Sequence, residues 1–236
     1  GEAIFKLYDT YGFPVDLTSD LAKEINLELD LGEYENLMSI QRKNAQKNSR
    51  FEALLPSAIN LDEETKFLGY ELDSTESVVK LIFQNGENVD FVASGDCVII
   101  LDKTPFYGES GGQVGDSGKL ISENNEVRVS DTQKVGNFYL HICHIEKGEV
   151  RVNQKLNAEI DINRRNAITS NHSATHLMHS ALRNNLGAHV QQKGSLVSEE
   201  KLRFDFSHKQ KVTPEEILKI EREVNYEINS AKDTQV

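Results

Sequence analysis

Apolar residues recur at two different periods along the chain. Over residues 2–55 the spacing is helical. Ile4, Leu7 and Tyr8 share one face. Pro14 interrupts, and Thr18, Leu21 and Ile25 then start a second face that Asp16 or Thr18 can cap. Leu37, Met38 and Gln41 open a further helical pattern that runs into QRKNAQKNSR. The basic residues of that stretch read either as a solvated helix end or as an RNA backbone contact. Residues 56–65, PSAINLDEET, read as a linker.

From Phe67 to Ile160 the period is two. The runs 78–83, 89–92, 97–101, 118–121, 126–129, 138–145, 150–152 and 156–160 are short, rich in Val, Ile and Leu, and divided by Gly, Asn and Asp turns. Such spacing predicts a small antiparallel barrel. Helical character returns near Arg164. Asn171 is placed to cap a helix over His172–Leu186, with Gly187 just past its end. Leu196-Val197 and Leu202–Phe206 read as strands, the second with Leu202, Phe204 and Phe206 on one face. Thr213, Pro214 and Glu216 form a helix start with a capping box, followed by the stripe Ile217, Ile220, Val224 and Ile228. The fold class is α+β: a helical segment over 1–60, an antiparallel β-barrel over 61–160, and an α/β core over 161–236 that breaks off at its C-terminus.

Composition narrows the function classes. The 236 residues are 38% hydrophobic and 27% charged, as in soluble globular chains. No apolar run approaches the ~20 residues of a membrane helix. The opening GEAIFKLYDTYG has neither the basic nor the apolar region of a signal peptide. It starts without Met in mid-helix, which reads as a piece of a longer protein. Cys97 and Cys143 are too few for a disulfide framework, so the expected compartment is the cytoplasm. The net charge is −12, but it is unevenly spread. Residues 1–160 carry 15 Lys and Arg against 28 Asp and Glu, a net of −13, whereas 161–211 carry 8 against 4, a net of +4. Phosphate contact depends on local charge, so the acidic total does not exclude RNA.

Three segments carry candidate chemistry. In His172-Ser-Ala-Thr-His176 the two imidazoles fall one helical turn apart, where both can reach one tetrahedral zinc with Zn–N near ~2.0–2.1 Å. The competing reading is a pair of half-buried polar residues. His179 continues the same face. Zinc peptidases place Glu directly after the first His; Ser173 stands there, so their general base is absent and a protease is not expected. His141, Cys143 and His144 are a second cluster, but His144 points to the opposite strand face, and the cysteines read as small buried hydrophobes. The segment from Thr104 to Gly118 holds five Gly between 108 and 118 without forming either GxGxxG or a P-loop. Spacing alone makes it a mobile surface loop; its function, if it has one, is close backbone approach to a ligand. Gln191, Gln192, Lys193 and Ser195 follow the His helix and suit recognition of a small polar ligand, or form a plain polar connection.

Taken together, these motifs resemble the bacterial-type alanyl-tRNA synthetases. Phe5–Thr18 (FKLYDTYGFPVDLT) resembles the end of that family's aminoacylation and tRNA-recognition region, and Thr104–Gly112 the Gly-rich loop of its editing domain. Asn171–His179 (NHSATHLMH), Leu186–Ser195 and Leu202–His208 resemble the editing core shared with free-standing deacylases. All occur in the family's order over nearly the whole chain. The resemblance implies hydrolysis of mischarged Ser-tRNA(Ala) and Gly-tRNA(Ala), with the acceptor end of tRNA(Ala) as partner and neither DNA nor membrane involved. His172 and His176 would be two of four zinc ligands, the remaining Cys and His coming from a downstream segment that this chain does not match. Thr175 and Gln192 map to catalytic positions in the editing pocket, and Gly111, Gly112 and Gln113 to its substrate-facing loop. The ATP-dependent attachment of alanine would belong to residues upstream. Two alternatives stand beside this: an inactive tRNA-binding or structural piece, and a free-standing deacylase, against which the helical leader argues.

Overall fold

The computed structural model describes residues 1–11, 15–24, 27, 29–38 and 64–230. The chain forms two compact units, Gly1–Asn60 and Leu61–Val236. In the first, α1 (Glu2–Tyr11) and α2 (Val15–Glu24) are followed by a helix over residues 31–38, α3. The Asp30 side chain accepts a hydrogen bond from Glu33 N at 2.9 Å and so caps α3. Ile4, Thr18, Ala22 and Met38 are buried, whereas Leu21 is 53% exposed. The inward face of α2 is thus one position off the expected one. Asp16 and Thr18, the expected caps, lie inside α2, which begins at Val15. Pro14, Ile25, Gln41, the QRKNAQKNSR stretch and most of the expected linker lie outside the described residues.

The second unit opens with a closed six-stranded antiparallel barrel. Its strands are β2 (Ser74–Gln84), β5 (Gly95–Leu101), β7 (Gly118–Ile121), β8 (Glu126–Val135), β9 (Phe138–Lys147) and β11 (Lys155–Ile160). Their order is β11-β7-β8-β9-β5-β2, and β2 pairs back onto β11. Closure removes the open edges that would invite aggregation. The short strands β1 (Lys66–Phe67) and β6 (Lys103–Thr104) pair in parallel, β3 (Glu87–Asn88) folds back on β2, and β4 (Phe91–Val92) pairs with β10 (Val150–Arg151). Asn85 and Gly86, at φ 54° and 87°, make the tight β2–β3 turn, the backbone that Asn-Gly favours in hairpins.

Two strands run longer than their alternation predicts. β8 buries Val127 and Val129, then Thr132, because a bulge between Val129 and Asp131 shifts the phase. β2 does the same between Val79 and Leu81, burying Val79 and then Ile82. A bulge adds one residue and turns the following side chains over, so strict alternation stops there while the strand does not. The barrel interior is filled by Val79, Ile82, Ile99, Leu101, Phe106, Leu120, Val127 and their neighbours. Cys97 and Cys143 pair across β5 and β9 as buried free thiols, and burial raises the Cys143 thiol well above its ordinary value.

After the barrel, α4 (Ile162–Leu186) is one continuous helix capped by Asp161, whose carboxylate accepts from Arg164 N at 3.0 Å. Asn171 therefore sits in the helix interior and is not its cap. The stretch preceding it, rich in Arg and Asn, hides the helix start because its apolar positions are few. Gly187 ends the helix at φ 114°, its N–H donating to the Arg183 carbonyl. β12 (Gln192–Val197) and β13 (Leu202–Phe206) form a hairpin, and α5 (Pro214–Ser230) follows. Glu216 accepts from Thr213 N at 2.8 Å while its own N–H donates to Thr213 Oγ1 at 3.3 Å, completing the capping box. Asn184 and Asn185 donate to Glu223 and tie α5 to α4. α5 buries no residue fully, and Ile217 and Ile228 are about half exposed. No helix among the described residues is long and apolar enough to cross a membrane.

His141 is fully buried in β9. Its Nδ1 donates to the Ile99 carbonyl at 2.9 Å, leaving Nε2 to accept from the Thr104 hydroxyl at 2.8 Å. Burial pushes its pKa down from 6.5 to about 4. The unfolded chain takes up a proton near 6.5 that the folded chain refuses until about 4. Stability should therefore fall as pH drops through that window, by up to about 3 kcal/mol. Urea denaturation followed from neutrality down through the window checks this, and His141→Gln should flatten the slope. A second expectation concerns Asp116, 2% exposed, whose carboxylate receives the guanidinium of Arg165. Removing one partner of a buried pair leaves an uncompensated charge and costs about 3–5 kcal/mol. Asp116→Ala should show a loss of that order by urea denaturation, and a loss under about 1 kcal/mol would remove the pair from the list of structural anchors.

Candidate functional site

The Gly-rich segment between β6 and β7 is docked, not the surface loop its spacing predicts. Thr104, Phe106, Gln113 and Asp116 within it are buried. Glu109 bridges to Gln133 of β8, its N–H donating to the Thr132 carbonyl at 2.9 Å. Gln113 bridges to Val197 of β12, with Val197 N donating to Gly112 O at 2.7 Å and Val114 N to Val197 O at 3.0 Å. The loop is thus a clip between the barrel and the β12–β13 hairpin. Gly112 sits at φ 85°, and a Cβ there would lie 2.4 Å from the Ser195 carbonyl oxygen, so only glycine allows the approach.

The first turn of α4 pins this clip. Arg165 donates to both carboxylate oxygens of Asp116, to the Gly69 carbonyl at 2.9 Å and to the Pro105 carbonyl at 3.0 Å. Arg164 donates to the Gly115 carbonyl at 2.7 Å and to Glu199 at 2.8 Å. Asp116 in turn accepts from Tyr107 N at 2.7 Å. No local sequence signal distinguishes Asp116, Arg164 and Arg165 from solvated charges. Their role appears only when the loop and the helix meet.

About two helical turns further along α4, a small cavity of about 110 Å³ opens against the clip. It is lined by Gly111, His172, Thr175, His176, His179, Gln192, Ser195, Val197 and Phe204. Most sequence-predicted site residues meet here, although they come from three separate elements. Of the three loop residues, Gly111 lines the cavity directly. Gly112 stands behind it against Ser195, and the Gln113 side chain lies against His172. A larger, apolar groove of about 570 Å³ lies between α4, β13 and α5, lined by residues such as Met178, Leu202 and Ile220. It holds a single carboxylate, Glu221, and no set of polar groups to orient a reaction.

The polar groups of the cavity are ordered. Nδ1 of His172 lies 2.6 Å from Gln113 Oε1. The His172 and His176 rings stack at 5.1 Å and 14°. Burial, and then the neighbouring His176, push the His172 imidazole below its ordinary value, favouring the neutral form that a metal requires. Thr175 is 6% exposed and donates its hydroxyl proton to the Asn171 carbonyl at 2.8 Å. Its oxygen lone pairs remain for the cavity. His179 packs against Phe204 at 5.0 Å, and its Nε2 is buried with no hydrogen-bond partner among the described residues. Gln192, the first residue of β12, is exposed at the rim.

These donors fit zinc in kind: two imidazoles on one helix face, with an orphaned ring nitrogen beside them. They do not complete a ligand set. Among the described residues no group of three or more His, Cys, Asp or Glu is placed to hold a metal. His141, Cys143 and His144 do not form one either. The first two are buried in the barrel, and His144 faces outward to Asp96 at 2.7 Å.

Residues 1–164 match the family described as tRNA synthetases class II (A). The chain is also 49% identical over 229 residues to the alanine–tRNA ligase of Dichelobacter nodosus (strain VCS1703A), a match covering 97% of this chain and 26% of that protein. This chain spans about a quarter of the length of the relative it matches. The family match ends in the first turn of α4, whereas the ligase match extends over the cavity-bearing elements as well. With more than half of its length matched by the family, the chain belongs to the class II (A) tRNA synthetases, the alanyl-tRNA synthetases.

Proposed function

We propose that the second unit is a hydrolytic editing module, and that its substrate is the aminoacyl end of tRNA(Ala) carrying Ser or Gly in place of Ala. The observation that supports this best is the cavity itself. At about 110 Å³ it is far below the ~300–1,000 Å³ of pockets that enclose whole ligands. It has room for a small polar group and not for a nucleoside. A synthetase pocket built for Ala rejects Gly and Ser weakly, because a missing methyl or an added hydroxyl changes binding by only ~1–3 kcal/mol. A second, hydrolytic site compensates. The parent enzyme in this reading attaches alanine to tRNA(Ala) with ATP, in the cytoplasm, by residues outside this chain.

The side chains divide the work. Thr175, with its proton held by Asn171, offers an acceptor to the ammonium or hydroxyl of a seryl group. Gln192 at the rim can hold the ester or the attacking water with its amide. His172 and His176 would hold zinc, together with ligands from elsewhere. The ion when bound would polarise the ester carbonyl, activate water or orient the amino acid. The basic excess over 161–211 favours the approaching acceptor strand. A second reading rests on the incomplete ligand set: a tRNA-binding piece that does not hydrolyse by itself.

Deacylation of Ser-tRNA(Ala), run beside metal analysis, separates the two. This chain should hydrolyse poorly, and a longer protein that contains it and completes the metal site should be active. In that longer protein His176→Ala should lose zinc and activity together. Gln192→Ala should keep zinc and lose activity by about 10–100-fold. An active His176→Ala variant, or a longer protein that holds zinc but spares Ser-tRNA(Ala), would remove the editing reading.

A further inference from the structure

Gln113 lies on the Gly-rich clip, 59 residues before His172 in sequence, yet its amide oxygen is 2.6 Å from His172 Nδ1. An amide oxygen carries no proton, so the bond exists only if Nδ1 is protonated and donates. In a neutral imidazole the other nitrogen, Nε2, then carries the lone pair. Free histidine prefers the opposite tautomer, with the proton on Nε2, so a partner that selects Nδ1–H changes what the ring presents.

The amide is itself held. Gln113 is 8% exposed. Its N–H donates to the Ser110 carbonyl at 3.0 Å and its carbonyl accepts from Ser110 N at 3.2 Å, closing a tight turn. The flanking bonds to Val197, from Val114 N and to Gly112 O, fix the turn against β12. Behind the turn, Asp116 anchors the loop to Arg165 on the same helix that carries His172. Loop and ring are therefore referenced to one another through α4, and the amide has little freedom to follow a ring that turns over.

We infer that Gln113 is a positioning residue for His172, not a substrate contact: it locks the imidazole as the Nδ1–H tautomer and aims the Nε2 lone pair away from the loop. The inference rests on the metal reading proposed above only for the use made of that lone pair. Outer partners of this kind typically affect metal affinity by ~10–100-fold.

The test uses this chain and two readouts. The first is the tautomer of His172 in the metal-free protein, read from long-range ¹⁵N–¹H correlations of the imidazoles, with His172→Asn assigning the signal. The chain should show Nδ1–H at His172. Gln113→Met, close in shape but without an acceptor, should move the ring toward Nε2–H, and Gln113→Glu, which restores an acceptor, should keep Nδ1–H. Should Gln113→Met fail to fold by circular dichroism, Gln113→Asn, one methylene shorter, takes its place. The second readout is zinc titrated calorimetrically: Gln113→Met should bind about 10–100-fold more weakly than the unaltered chain, and Gln113→Glu should recover most of the loss. Nε2–H at His172 in the unaltered chain, or a tautomer indifferent to Gln113→Met, would overturn the positioning role. Zinc affinity unchanged in Gln113→Met would overturn its bearing on the metal. An unaltered chain that binds no zinc, with Nδ1–H intact and lost in Gln113→Met, would support the positioning role and count against the metal reading alone.

Discussion

The buried ion pair between Asp116 and Arg165 sets the geometry of the second unit. Asp116 belongs to the Gly-rich clip of the barrel, Arg165 to the first turn of α4, and the same guanidinium also takes the carbonyls of Gly69 and Pro105. Taking a carboxylate and a guanidinium out of water is costly, and only a full set of hydrogen bonds offsets it. That requirement tolerates very little displacement. The pair therefore fixes where α4 starts relative to the loop, and a rigid helix carries that placement along to His172, Thr175 and His176. Arg164, bonded to Gly115 and Glu199, adds a second point of attachment on the neighbouring face.

The cavity that results is polarised by where its protons go. His172 directs its Nδ1 proton to Gln113, and Thr175 directs its hydroxyl proton to Asn171. Both protons point away from the cavity, so both residues face it with lone pairs. His179 adds a ring nitrogen with no hydrogen-bond partner among the described residues. Such a lining favours cationic guests, a metal ion or a primary ammonium, over anions. The chemistry of an aminoacyl ester, with its ammonium beside the carbonyl, is of that kind.

Much of this was legible in the sequence because it depends on local rules. The switch of period marked the barrel, Asn85-Gly86 marked its hairpin turn, and the Thr213–Glu216 box marked α5. The pair His172 and His176 could be placed on one helix face from spacing alone, whereas Thr175 stood out only through the family resemblance. What the sequence concealed depends on contacts distant along the chain. The bulges in β2 and β8 break alternation without ending a strand. Asn171 looks like a cap because nothing nearby shows that Asp161 already caps the helix. The Gly-rich segment looks mobile because its bonds run to Gln133 and Val197, far away in sequence. Gln113 and Asp116 look alike as polar loop residues, and only the fold shows one on an imidazole and the other on a guanidinium.

Phe204 has a consequence for how the site responds to force. Its ring is wall to two spaces at once, the polar cavity on one side and the apolar groove under α5 on the other. On the cavity side it touches His179. Aromatic rings in packed surroundings move as plates, so pressure on one face appears as a displacement at the other. The cavity has no independent floor. The two spaces share that wall, so a displacement of the ring driven from α5 would reach His179 as well as the groove.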